Sequence, residues 1–280
     1  MDKNLTLRLE CNGKTLELDN KNYKIVRVDG IESSDYDVNI INNAIGDGGQ
    51  YNKSLIRPRP ISIEFDYMDI KNSEDIRQYL IKFFNPRFQG TLFINYDGVE
   101  RYISYRLERF KNKRTNLYEP LNIVADLICP EPHFNDVFIS EEIATWIGGW
   151  KFKFKLPFRF KQKGKPRKNV YNDGHLETPV KIIFKGPAVN PKVTNLTTGE
   201  FIQVNRTLTS DDILYINTEF GNKTVEIERE GVKKNAFNYI NLDSTFFKLQ
   251  VGDNLIEYGT ENNLDPQSVQ IIYRNKYLGI

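Results

Sequence analysis

The feature that most limits this chain is a period-two alternation of apolar and polar residues, cut at short intervals by turn dipeptides. Leu5, Leu7 and Leu9 alternate with Thr6, Arg8 and Glu10, as a strand with one buried face requires. Asn12-Gly13, a strong hairpin dipeptide, leads into Thr15-Leu16-Glu17-Leu18. Residues 23–28 form another such run, stopped by Asp29-Gly30. In 59–67, Ile61, Ile63, Phe65 and Tyr67 share a face, while Pro58 and Pro60 call for an edge or entry position.

One segment changes period. Ile76, Tyr79, Leu80, Phe83 and Phe84 fall on a helical stripe. Asn72 or Ser73 can cap it, Glu74 and Asp75 suit its positive end, and Pro86 stops it, so a helix is predicted over about 73–84. Strands resume at 90–96, 101–107 and 118–127, and Cys129-Pro130-Glu131-Pro132-His133-Phe134 ends the first domain at 134. From 169 to 280, short strands at 180–184, 191–195, 199–204, 212–217, 224–230, 246–249, 254–258 and 268–273 suggest a sandwich. The 280 residues suit two domains, and 18 Phe with 15 Tyr can fill two cores. The fold class is therefore mainly β with one helix, with 135–168 as a connecting segment.

That segment holds nine basic residues and no acidic one between Lys151 and Lys168. The alternation through 151–156 reads as a solvated face of a half-buried strand, and the other reading is a basic strip facing nucleic acid or an acidic partner. Chain-wide, 39 Lys and Arg stand against 37 Asp and Glu, a net charge of +2. No general grip on phosphate backbones follows, and no sequence-specific nucleic-acid partner is expected. The first residues lack an apolar signal core and no stretch nears the ~20 apolar residues of a membrane span, so synthesis in a cytoplasm and no membrane partner are expected.

Chemistry has few candidates. Cys11 and Cys129 read as buried or partly buried thiols rather than a disulfide framework. His133 and His175 each stand beside turn residues without a second ligand at metal spacing, and a surface loop is expected for both. The run from Gly46 to Ser54 invites a phosphate-loop reading, but Asp47 and Asn52 occupy two required glycine positions; a sharp turn with positive φ explains its glycines. Glu141-Glu142 and Asp211-Asp212 are adjacent pairs, which on a strand face opposite ways, whereas glycosidase carboxylates must converge. Asp211-Asp212 reads as a solvated turn entering a strand. No catalytic, cofactor or metal residue is assigned.

The order of segments resembles the distal tail proteins of long-tailed, siphovirus-type bacteriophages and prophages. In the first half the resemblance rests on Gly46-Asp47-Gly48-Gly49, Arg59-Pro60-Ile61-Ser62-Ile63, Phe84-Asn85-Pro86, Gly90-Thr91-Leu92, Asp97-Gly98, Arg101-Tyr102-Ile103 and the 129–134 motif. In the second half it rests on Asn172-Asp173-Gly174, Phe184-Lys185-Gly186-Pro187, Asn190 to Asn195, Thr197-Thr198-Gly199-Glu200, Asn235-Ala236 and Gly252-Asp253-Asn254. It implies an N-terminal RIFT-related β-barrel or sandwich domain with one helix and a C-terminal galectin-like β-sandwich. It also implies a homo-hexameric ring in the virion tail tip, made in the host cytoplasm. The implied partners are the tail tube (major tail protein), a tail-tip hub protein and receptor-binding proteins, with DNA passing through. Within that picture the basic strip, with Lys161, Lys163 and Lys165, faces a ring neighbour or the lumen. The alternatives are a carbohydrate-binding module for host cell-wall glycans and a cell-wall hydrolase.

Overall fold

The computed structural model describes residues 5–113, 119–136, 139–143, 166–261, 266 and 268–280. In the first half the alternating segments build one antiparallel sheet. Its elements are β1 (Leu5–Cys11), β2 (Lys14–Leu18), β3 (Tyr23–Asp29), β4 (Tyr36–Asn42), β5 (Gly49–Ile56), β6 (Arg59–Tyr67), α1 (Ser73–Phe83), β7 (Gln89–Tyr96), β8 (Val99–Lys113), β9 (Leu121–Cys129) and β10 (Phe134–Asn135). The ladder runs β2-β1-β7-β8-β9-β6-β3, and β10 pairs with β8. Only β4 and β5 stand outside it, as a hairpin of their own.

Alternation sets the core. Ile61, Ile63, Phe65 and Tyr67 are buried, facing Leu7, Leu9, Leu92, Ile103, Ile123 and Leu127 from neighbouring strands. Each such side chain contributes roughly 1.5–3 kcal/mol by leaving water. β6 is not an edge strand, because β3 covers one side of it and β9 the other. Its prolines mark the entry instead: Pro60 lies beyond the last β3 pair, Asp29 with Ser62. The helix closes over the sheet with Leu80, Phe83 and Phe84 buried and Ile76 and Tyr79 packed against the same core. No side chain caps it. Asn72 donates instead to Asp69 at 2.7 Å, and its carbonyl accepts from Ile76.

At the start of β6 the inward-facing position is filled by a cation. Arg59 is 1% exposed and uses all five of its N–H groups. Nε donates to the Pro132 carbonyl at 2.8 Å, and Nη1 to the carbonyls of Gly30 at 2.8 Å and Ser33 at 3.0 Å. Nη2 donates to the Ser34 hydroxyl and the Leu278 carbonyl. The Phe134 ring lies 4.8 Å from the guanidinium carbon. None of these five acceptors is a carboxylate, and burial lowers the Arg59 pKa.

Leu278 belongs to a tail that the sequence reading gave to the second domain (169–280). The chain instead divides into 1–136 with 276–280, and 137–275. The reason is both apolar and polar: Tyr277 is buried in the first core and Ile280 packs against it, while Arg101 donates to the Gly279 carbonyl at 2.5 Å and stacks on Tyr277 at 3.6 Å. Lys276 pairs with Glu131 at 2.7 Å, residues 276–277 pair with β10, and the Ile280 amide donates to the Ile31 carbonyl. A five-residue tail has no core of its own, so it joins the core and the polar partners of the first unit.

The second unit has two sheets. Its strands are β11 (Ile139–Ile143), β12 (Arg167–Asn172), β13 (Thr178–Lys185), β14 (Ala188–Asn195), β15 (Phe201–Gln203), β16 (Thr207–Leu208), β17 (Asp212–Asn217), β18 (Thr224–Arg229), β19 (Val232–Asn235), β20 (Lys248–Leu249), β21 (Gly252–Glu261) and β22 (Ser268–Tyr273). One sheet runs β11-β22-β13-β17-β18-β19 and the other β12-β21-β14-β15. Val170, Val193, Ile202 and Ile256 of the second join Ile182, Phe184, Leu214, Val225 and Ile271 of the first in one buried cluster, with Phe184 edge-on to Tyr258. That is a sandwich.

Arg59→Met should cost ~3 kcal/mol or more, because five acceptors lose one donor group together. Deleting 276–280 should raise amide hydrogen exchange at 30–34 and 131–135 while leaving that of β13, β17 and β22 unchanged. A tail-deleted protein with unaltered exchange throughout would contradict the clamp.

Candidate interaction surfaces

Cys11 and Cys129 are buried free thiols, and burial pushes Cys129 up to about 12, away from the reactive thiolate. His175 is exposed in the turn after β12. His133 is not a surface residue: its side chain is 19% exposed and its Nδ1 lies 3.2 Å from Glu131, because the 129–134 segment packs around Arg59. Among the described residues no three His, Cys, Asp or Glu gather where they could hold a metal ion. The strip at 151–165 lies outside the described residues, and so do Lys161, Lys163 and Lys165. Glu141 and Glu142 lie on β11, next to each other along the strand.

Asp211 and Asp212 do part company at the start of β17, but solvation accounts for only one. Asp211 is exposed, whereas Asp212 is 1% exposed. Register places Asp212 opposite Arg229, which donates from Nε at 2.6 Å and Nη2 at 2.7 Å. The Thr209 amide and hydroxyl each donate at 2.8 Å. Hydrogen bonding from Arg229, then from Thr209, holds the Asp212 carboxyl well below the usual range. Arg229 lies seventeen positions away, and only the pairing of β17 with β18 reveals it.

The glycine-rich run is the tip of the β4–β5 hairpin. Gly46 and Gly48 have φ of 98° and 88°, the Asn43 amide donates to the Gly48 carbonyl, and no helix follows, so the tip cannot cradle phosphate as a strand–loop–helix would. The sequence reading did not assign these two strands. Their alternation is present, but the hairpin covers no core. Tyr36, Val38 and Ile40 share a face with Tyr51, which is paired with Ile40, and these four are 49–67% exposed. Ile41, Ile45 and Leu55 add 58%, 96% and 56%. Scattered apolar residues are ordinary on a surface; here they are contiguous, on a hairpin outside the main sheet.

A cleft of about 630 Å³ between β6, β8 and β9 contains Asp126, Ser62 and Arg109. Its polar groups are consumed by each other: Ser62 and Arg109 donate to Asp126 at 2.6 and 2.5 Å. The motifs behind the family resemblance behave similarly. Asn172, Asn195 and Asn254 are fully buried and bind turn backbone. Asn172 holds Gly174 and Leu176, Asn195 holds Thr197, and Asn254 holds Gln250 and Gly252.

The architecture is mainly β, in two units, with one α-helix among the described residues. Its fold matches the Dit protein of phage SPP1, described as a paradigm of the hub adsorption apparatus of phages infecting Gram-positive bacteria. The TM-score is 0.72 at 13% identity, over 97% of this chain and 99% of that one. Chains of the phage P2 baseplate in its activated conformation also match. The form with calcium gives 0.54 at 12% identity over 99% of both chains, and the form with strontium gives 0.52 at 14% over 97% and 98%. No curated protein matches the sequence. Residues 173–277 match the family of siphovirus-type tail components, C-terminal domain. The chain thus has the fold of these tail proteins along its length, and within it residues 173–277 match the C-terminal domain family of siphovirus-type tail components.

Asp212→Asn should destabilise the protein by about 1–3 kcal/mol at pH 7. The carboxylate is held low in the folded state, so its contribution is present above the unfolded value near ~3.9 and lost as pH falls through the folded one. The gap between variant and parent in thermal unfolding should therefore begin to narrow below about pH 4 and go on narrowing as pH falls further. A gap independent of pH would refute the assignment.

Proposed function

We propose that this protein is a ring-forming structural hub of a phage tail tip, and not an enzyme. In this reading it joins the tail tube to tail-tip and receptor-binding proteins, and DNA passes through the ring. The observation that carries the proposal is the match to the distal tail fold over 97% of the chain, joined by the family match over 173–277. The exposed hairpin supplies the means. A closed ring needs one patch to meet a different patch on the next copy, and an apolar hairpin standing off a finished core is such a patch. A net charge of +2 suits a passage that must not retain DNA.

Light scattering on the purified protein, followed by negative-stain imaging, should show a symmetric ring with a central hole, six-fold if the full proposal holds. Ile40→Asp with Tyr51→Asp should leave a folded monomer, because neither side chain contributes to the core. A parent that stays monomeric at high concentration and with tail-tube protein present, or a double variant that still closes, would overturn it.

A further inference from the structure

The second unit contains a cleft that its own packing does not account for. It holds about 330 Å³ and lies where the β18–β19 hairpin meets Arg206 and Tyr239. Its floor is apolar, formed by Ile227, Val232 and Ala236, and Val232 is 57% exposed. One wall is the Asp212–Arg229 pair, whose charges already cancel. Arg206 and Lys234 line the same space, and neither has a carboxylate partner among the described residues.

Two of the polar groups are held by neighbours. The Arg206 guanidinium lies 4.4 Å from the centre of the Tyr239 ring, which fixes its plane and leaves its edge open for a bidentate acceptor. The Asn235 side-chain oxygen accepts the Phe237 amide at 2.8 Å, which leaves its NH₂ as the group that can donate to a ligand. Glu230 adds an acceptor carboxylate to the lining. Two cations, a neutral donor, a carboxylate and an aliphatic floor thus converge in a volume at the small end of ligand pockets.

We propose that this cleft binds a single saccharide unit bearing an anionic group, carboxylate or phosphate. Arg206 and Lys234 take the anion. Asn235 and Glu230 take hydroxyls, which both donate and accept. The C–H face of the ring covers Ile227, Val232 and Ala236. An acidic peptide side chain would satisfy the cations but would leave Asn235, Glu230 and the apolar floor unused, so the saccharide is favoured. The inference does not depend on ring formation.

Calorimetric titration of the full chain with glucuronate, glucose 1-phosphate, methyl glucoside, inorganic phosphate and N-acetylglutamate amide tests it. At least one acidic sugar should saturate with Kd near ~1 mM, with methyl glucoside, phosphate and the blocked glutamate at least about tenfold weaker. The two acidic sugars tell carboxylate from phosphate. Arg206→Ala and Lys234→Ala should each weaken binding about fivefold or more with unchanged melting, while Lys223→Ala, near Phe246 instead, should not. No acidic-sugar binding below ~20 mM, equal binding of free phosphate or blocked glutamate, or full affinity in both variants would overturn the proposal.

Discussion

A cation buried without a counter-ion organises the first unit. Moving a guanidinium out of water is costly unless every donor is met, and Arg59 meets the condition with one hydroxyl and four carbonyls from three chain segments. The 30–34 loop, the 129–134 turn, the start of β6 and the C-terminal tail must therefore arrive together. Any one of them displaced leaves a buried N–H unmet. That requirement explains why the last five residues return to the first unit although 137–275 intervene.

Much of the fold was legible because alternation is a local signal. The stripe of 61, 63, 65 and 67 and the helical stripe of 76, 79, 80, 83 and 84 can be read without knowing any partner, and burial follows both. Arg59 shares the parity of Ile61, so its inward position was legible too, although its acceptors were not. Asp212 was misread because its partner is defined by register, which a single strand does not contain. The hairpin was missed for a different reason: its apolar residues answer to no core within the chain.

The same distinction separates scaffold from surface. Buried asparagines lock the turns that carry the family resemblance, so those motifs report architecture rather than chemistry. Each unit completes its own buried cluster, and the β4–β5 hairpin on one and the Arg206–Tyr239 cleft on the other lie outside it. A rigid framework with apolar and polar surfaces left over is suited to assembly, where specificity comes from repeated contacts between copies.

Electron cryo-microscopy of the purified assembly bears most directly on this account. It should find both faces of the β4–β5 hairpin of each copy covered by the neighbouring copy, with the tail of 276–280 still bound at Arg59. A closed assembly in which the hairpin of every copy projects into solvent would contradict it.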